Sequence, residues 1–128
     1  MNILHLISDW KWTGPAEPVL NMCLGLQQLG HAVTLACQPR AWREARSIAT
    51  FARERGVNLT DQFELNHHAV LRTTLPDLRR LTRFLRRNSI DVVNTHLSHD
   101  HLLGGLAARL CSRRVVVIRT DHYRDSFG

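Results

Sequence analysis

The chain is nearly without lysine, short of acids and free of any long apolar run. Of its 17 basic residues only Lys11 is a lysine, set against 11 acids, so the net charge of +6 is an arginine charge. Such a balance points to anionic partners such as phosphates, nucleic acid or a membrane surface, or to arginines on solvated helix faces. No apolar stretch approaches the ~20 residues of a membrane span, and the N-terminus has no signal-peptide pattern. The three cysteines, Cys23, Cys37 and Cys111, are odd in number and far apart, each in apolar surroundings. They exclude a disulfide frame or a zinc site and read as reduced core thiols of a cytoplasmic protein. Internal repeats, low-complexity tracts and linkers are absent. So are a G-x-G-x-x-G fingerprint, a G-x-S-x-G elbow, a phosphate-binding P-loop and a paired-cysteine motif.

What remains is an ordinary globular composition, 44% hydrophobic over 128 residues, enough for one domain with a sizeable core. Asn2–Ile7 is a short apolar run, as a strand buried on both faces of a parallel sheet requires. The loop Ser8–Gly14 follows, and Pro15 falls where a first helical turn tolerates a missing N–H. Val19, Met22, Cys23, Leu26 and Leu29 then recur at helical spacing, and Gly30 ends the helix. His31–Cys37 is a second strand. Trp42–Arg55 reads as a second helix burying Ala45, Ile48, Ala49 and Ala52, and Val57–Leu65 as a weaker third strand. Asn66–Thr74 reads as irregular. A third helix is expected over Leu75–Asn88, with Pro76 and Asp77 in its first turn and Leu78, Leu81 and Leu85 inward.

Asp91–His96 is a fourth strand. Ser98 is a plausible N-cap for a helix through Arg109, with Leu103, Leu106, Ala107 and Leu110 inward and Gly104-Gly105 close to the sheet. Val115–Thr120 is a fifth strand. Strand and helix alternate throughout, so the fold class expected is α/β, a doubly wound, Rossmann-like parallel sheet of about five strands in the order 3-2-1-4-5. Ligands collect at the carboxyl ends of such strands, at the switch between the first and fourth. That places Ser8–Gly14 beside His96–His101.

Gly14 and the amides opening the first helix are a generic anion site. A dinucleotide fold is disfavoured, because Gln38 stands where an acid would end the second strand. Trp10 and Trp12 either stack on a sugar ring or pack on the domain surface. His96, His99, Asp100 and His101 cluster past the fourth strand, and Asp121 and His122 stand at the matching point of the fifth. His99 and His101 share no helix face, so no metal is expected; His67-His68 reads as an exposed pair. Arg79, Arg83, Arg86 and Arg87 share one face of the third helix, facing either an anionic membrane or solvent. Without aromatic interleaving or a recognisable motif, no nucleic-acid partner is expected.

Together these residues resemble the N-terminal domain of family 4 glycosyltransferases, retaining enzymes of the two-domain GT-B fold. The resemblance rests on the opening strand, on Gly14-Pro15-Ala16-Glu17 as a form of GGAE, and on Leu29-Gly30-His31-Ala32-Val33-Thr34. It continues through Asp91-Val92-Val93-Asn94-Thr95-His96 with Ser98-His99-Asp100, and closes on Val117-Ile118-Arg119-Thr120-Asp121-His122. Pro15 stands in place of the family's second loop glycine. The resemblance implies transfer of a sugar, of hexosyltransferase type, from a nucleotide-sugar donor to an acceptor hydroxyl in glycolipid or cell-surface polysaccharide synthesis. The anomeric configuration is retained, and neither cofactor nor metal is required. It implies His122 as the catalytic contact to the reacting sugar, Gly14 and Pro15 at the donor phosphates, and His96, with Trp10, Trp12, His99 and Asp100, at the acceptor. It further implies that residues 1–128 are one incomplete, acceptor-side domain, inactive without a donor-binding C-terminal domain. The expected setting is cytoplasmic, with peripheral contact to the inner face of the plasma membrane and a homodimer through an exposed fifth strand. A different class, a stand-alone module binding a phosphate ligand or protein partner without catalysis, is the alternative.

Overall fold

The first strand, β1 (Asn2–Leu6), is buried because it lies at the centre of the sheet with helices on both sides. Its side chains alternate: Ile3 packs with the core beneath one helix pair, Leu4 and Leu6 with the core beneath the other. Further strands are β2 (Ala32–Ala36), β3 (Leu59–Thr60), β4 (Val92–Thr95) and β5 (Val116–Arg119). All pairs are parallel, in the order β3-β2-β1-β4-β5. Helices α1 (Ala16–Gln28) and α2 (Ile48–Arg55) cover one face; α3 (Val70–Arg87) and α4 (Ser98–Leu110) cover the other. This computed structural model describes residues 1–39, 44–66 and 70–120, with the main chain alone for 70–72.

The expected doubly wound sheet is therefore observed with its switch between β1 and β4. Gly30 ends α1 with φ +92°, a backbone state in which a side chain would be strained. Leu29, expected inward, is 76% exposed, while Leu20 takes a core position.

Four boundaries differ from the sequence reading. Helix α2 begins at Ile48, not Trp42, because Ser47 is extended and its Oγ accepts the Thr50 N–H at 3.1 Å. Ala45 is exposed in the turn before it, and residues 40–43 lie outside the described residues. Strand β3 is two residues long, since only Leu59 and Thr60 meet β2. Beyond it Phe63 and Leu65 turn down into the core, and the N–H groups of Glu64 and Leu65 donate to the buried Asp77 carboxylate at 2.8 and 2.7 Å. A side chain thus replaces the ladder. Helix α3 starts at Val70, so Pro76 lies within it and Thr73-Thr74 are helical. In α4 the cap position is Leu97, not Ser98, and Leu106 and Leu110 are 40% and 58% exposed. Gly104 does touch the sheet: a Cβ there would lie 3.1 Å from Thr95, 3.2 Å from Val93 and 3.3 Å from Leu6. Gly105 has open space instead.

Candidate functional site

The carboxyl ends of β1 and β4 are joined by one side chain. Asp100, in the first turn of α4, is fully buried. Its Oδ1 accepts from the Ser8 N–H at 3.0 Å and the Ser8 hydroxyl at 2.8 Å. Its Oδ2 accepts from the His96 N–H at 2.6 Å, and the Leu97 N–H reaches both oxygens at 3.1 and 3.0 Å. Burial pushes the Asp100 carboxyl above its ordinary value, opposed by the hydrogen bonds from Leu97, His96 and Ser8. The helix dipole adds favourable charge at the same end. Asp100 is thus a clamp between the loop after β1 and the loop after β4.

The first loop is held along most of its length. The Gln38 N–H donates to the Asp9 carbonyl at 3.0 Å, and its side-chain amide donates to the Ser8 and Leu65 carbonyls at 3.1 and 2.8 Å. Asp9 Oδ1 accepts the Trp10 and Lys11 N–H groups. Farther along, Trp12 N–H donates to Arg46 O and Ile48 N–H to Trp10 O, around a single antiparallel bridge between Lys11 and Ser47. The Trp12 ring stacks on Phe51, centroids 4.2 Å apart, with the Arg55 guanidinium 5.2 Å from it. Trp10 is half-buried, with Lys11 Nζ 5.6 Å from its ring.

Gly14 is exposed, and nothing lies within 4 Å of where its Cβ would be. The amide supply next to it is thinner than a helix start usually offers. Pro15 and Pro18 have no N–H, and that of Ala16 donates to the Thr13 carbonyl. Among the described residues the amides of Gly14 and Glu17 have no main-chain acceptor, and they lie beside the Glu17 carboxylate.

Sequence reasoning missed His5. It is fully buried in the middle of β1, its Nδ1 3.0 Å from His96 Nε2, the two rings stacked with centroids 5.2 Å apart. Its Nε2 is buried and has no hydrogen-bond partner among the described residues. Burial pushes the His5 pKa down to about 4. The pairing follows from register: His5 lies opposite Asn94, so His96 continues the same face two residues on. Gln38 was read only as a missing acid and is instead the loop's buried bracket. His99 is half-buried on the first turn of α4, and His101 Nδ1 lies 2.9 Å from Thr95 Oγ1. Asp121, His122 and the His67-His68 pair lie outside the described residues, which end at Thr120 on this edge. Thr120 itself is fixed to β4, its N–H donating to Thr95 O and its hydroxyl to Asn94 Oδ1, both at 2.8 Å.

Across the sheet, α3 and α4 enclose a groove of about 390 Å³. Leu75, Leu78 and Leu110 supply its apolar lining, and Arg79, Arg83 and Arg86 its charge. Arg87 is exposed but does not line it. No acid lines the groove, and among the described residues these three arginines have no ion-pair partner. No helix among the described residues is long and apolar enough to cross a membrane. Among the described residues strand β5 pairs with β4 alone, and its Val116 and Ile118 are 51% and 46% exposed.

Comparison with known proteins agrees with this architecture. The fold matches the crystal structure of Acinetobacter baumannii MurG with a TM-score of 0.68 at 18% identity, over 94% of this chain. The chain spans 34% of that protein's length. No curated protein matches the sequence. The sequence profile described as Glycosyltransferase Family 4 matches residues 13–127, which takes in the α1 start, the Gln38 bracket, the Asp100 clamp and the end of β5. The chain belongs to glycosyltransferase family 4.

Proposed function

We propose that this chain is the acceptor-side domain of a retaining glycosyltransferase that moves a sugar from a nucleotide-sugar donor to an acceptor hydroxyl. The observation that carries the reading is the Asp100 clamp. It fixes the loop after β1 and the loop after β4 to each other at the switch point, where open α/β sheets bind their ligands. In this reading His96, His99 and Trp10 shape the acceptor site, with Asp100 holding the main chain beneath them. Gly14, with Pro15 fixing the turn, meets the donor phosphates through the Gly14 and Glu17 amides. His122 reaches the reacting sugar. Two amides beside a carboxylate are a weak cradle for a diphosphate, so a second, donor-binding domain provides most of the stabilisation of the leaving group. Incubation of this chain with UDP-glucose, UDP-N-acetylglucosamine or GDP-mannose and candidate acceptors should give no transfer. The same domain joined to a donor-binding domain should turn over and lose activity on His122→Ala with little change in melting temperature. Transfer by this chain alone would refute the half-enzyme reading.

A second contact is favoured by the α3–α4 groove. Leucines flanked by three unneutralised arginines suit an anionic bilayer surface, where each arginine is worth about 1 kcal/mol. Vesicles containing phosphatidylglycerol should co-sediment the chain at low salt, and release it as salt rises. Arg83→Glu combined with Arg86→Glu should abolish the interaction; binding equal to wild type would discard this surface.

A further inference from the structure

We propose that a hollow at the carboxyl ends of β2 and β3 holds a sugar ring of the acceptor, whose hydroxyls donate to Gln38 Oε1 and to the Glu64 carboxylate. The hollow has a volume of about 230 Å³ and is lined by Gln38, Pro39, Glu64 and Asn66. Gln38 is only 6% exposed. Its side-chain nitrogen donates to two carbonyls, those of Ser8 and Leu65, which fixes the orientation of the amide and uses both of its hydrogens. What the side chain has left for a ligand is its oxygen, which accepts no hydrogen bond from the described residues. Glu64 is exposed, and its carboxylate takes no part in the ion pairs of the described residues.

The wall of the hollow is strained. Leu65, between Glu64 and Asn66, has φ +50°, a left-handed state that bulky residues rarely adopt. Two bonds hold it there: its N–H donates to Asp77 at 2.7 Å, and its carbonyl accepts from Gln38 at 2.8 Å. Strain held in place by its surroundings gathers where ligands bind. The ligand follows from the lining. Among the described residues no arginine or lysine lines the hollow, so an anion has no partner there. Two acceptors call for donors, which neighbouring ring hydroxyls supply together, and a bond to the carboxylate is charge-assisted. An ammonium group would meet one exposed carboxylate, a pairing of small worth. At about 230 Å³ the hollow is below the roughly 300–1,000 Å³ of whole-ligand sites, so it takes one ring and not the whole acceptor. The proposal rests on the reading of the switch point as the acceptor site, because Gln38 bonds the Ser8 carbonyl and so sets the hollow beside the loop that the Asp100 clamp fixes.

The test is a titration of this chain, labelled with nitrogen-15, against methyl α-glucopyranoside and methyl α-mannopyranoside, with ethylammonium chloride in parallel. At least one glycoside should shift the side-chain amide signals of Gln38 and the main-chain amides of Glu64 and Asn66, saturating with a Kd in the millimolar range. The Glu64 main chain, not its side chain, bonds Asp77, so Glu64→Ala keeps that contact. It should weaken glycoside binding about tenfold, and Glu64→Gln, which retains an oxygen, should weaken it less. No saturable shift at the hollow with either glycoside, a response to ethylammonium alone, or Glu64→Ala equal to wild type would overturn the proposal. Should Glu64→Ala fail to fold, Glu64→Gln takes its place, and binding equal to wild type would again overturn it. The titration involves neither donor nor transfer. Glycoside binding here in a domain that takes no acceptor would sink only the acceptor-side reading, and transfer without binding here would sink only the hollow.

Discussion

Removing the Asp100 carboxylate should cost more stability than removing any other single side chain at the switch point. Asp100→Ala takes this acceptor from three main-chain donors, those of Ser8 and His96 buried and that of Leu97 half-buried. An orphaned buried donor costs about 1–3 kcal/mol, and local relaxation recovers part of that, so we expect a loss of about 4 kcal/mol. Domains of this kind have about 5–15 kcal/mol in all. Asp100→Asn keeps the volume and one oxygen, yet turns an NH2 group toward main-chain N–H donors; about 2–3 kcal/mol should be lost. Ser8→Ala removes the 2.8 Å hydroxyl bond and leaves the Ser8 N–H bound to Asp100, for about 1 kcal/mol.

Urea unfolding followed by circular dichroism measures the series. With a slope of about 1–3 kcal/mol per molar, Asp100→Ala should move the midpoint down by roughly 2 M. Amide exchange gives the spatial check: protection of the Ser8 and Leu97 amides should collapse in Asp100→Asn while that of the β1–β2 ladder persists. If Asp100→Asn unfolds within 0.5 kcal/mol or so of wild type, or if Ser8→Ala is the more damaging change, the clamp is not what joins the two loops.

Acid should destabilise the domain through His5. Its folded pKa of about 4 lies below the ordinary value near 6.5, so the unfolded chain binds the proton first and stability falls as pH drops from 6.5 toward 4. The loss at pH 5 is about 2 kcal/mol, and His5→Phe should remove that part of the pH dependence; parallel wild-type and variant curves would contradict it. Gly105→Ala, into open space, should stabilise by about 0.5–1 kcal/mol, whereas Gly104→Ala crowds the methyls of Thr95 and Val93 on a rigid strand and should cost about 1 kcal/mol. Melting temperatures decide this pair, and equal gains at both positions would refute the close packing of α4 on the sheet.

The order of the sheet was legible because its signals are local. Apolar runs mark β1, β2, β4 and β5, and Gly30 marks the end of α1 by the φ it adopts. What was not legible depends on contacts across the chain. Nothing near Val57–Leu65 announces that Asp77 will take the amides of Glu64 and Leu65 and end β3 after two residues. Leu75-Pro76 reads as a helix start because the residue before proline avoids the helical region, yet α3 has already run from Val70. The site divides in the same way. Its two loops were found from topology alone, since strand ends at a switch point are where ligands sit. His5 was missed because a single histidine in an apolar strand has no local pattern. Its meaning appears only when β1 and β4 are aligned and the period of two carries His96 onto its face.

Charge shows the limit most clearly. Composition revealed an arginine-rich chain but not how the fold distributes it. Arg55 lies against the rings of Trp12 and Phe51 and reaches Glu17 at 3.9 Å. Arg113 bonds the Ile90 carbonyl and sits 3.8 Å from Asp91, while Arg80 neighbours Asp77 at 3.7 Å. These three brace the structure, each with an acid close to its guanidinium. Arg79, Arg83 and Arg86 differ in having no acid among the groove residues beside them and three leucines between them. Spread evenly over helix faces, the same charge would give only weak, salt-sensitive attraction. Gathered around an apolar groove, it supports the proposed contact with an anionic bilayer. Only the fold makes that distinction, because Leu110 reaches the groove from a different helix, 24 residues beyond Arg86 in the chain.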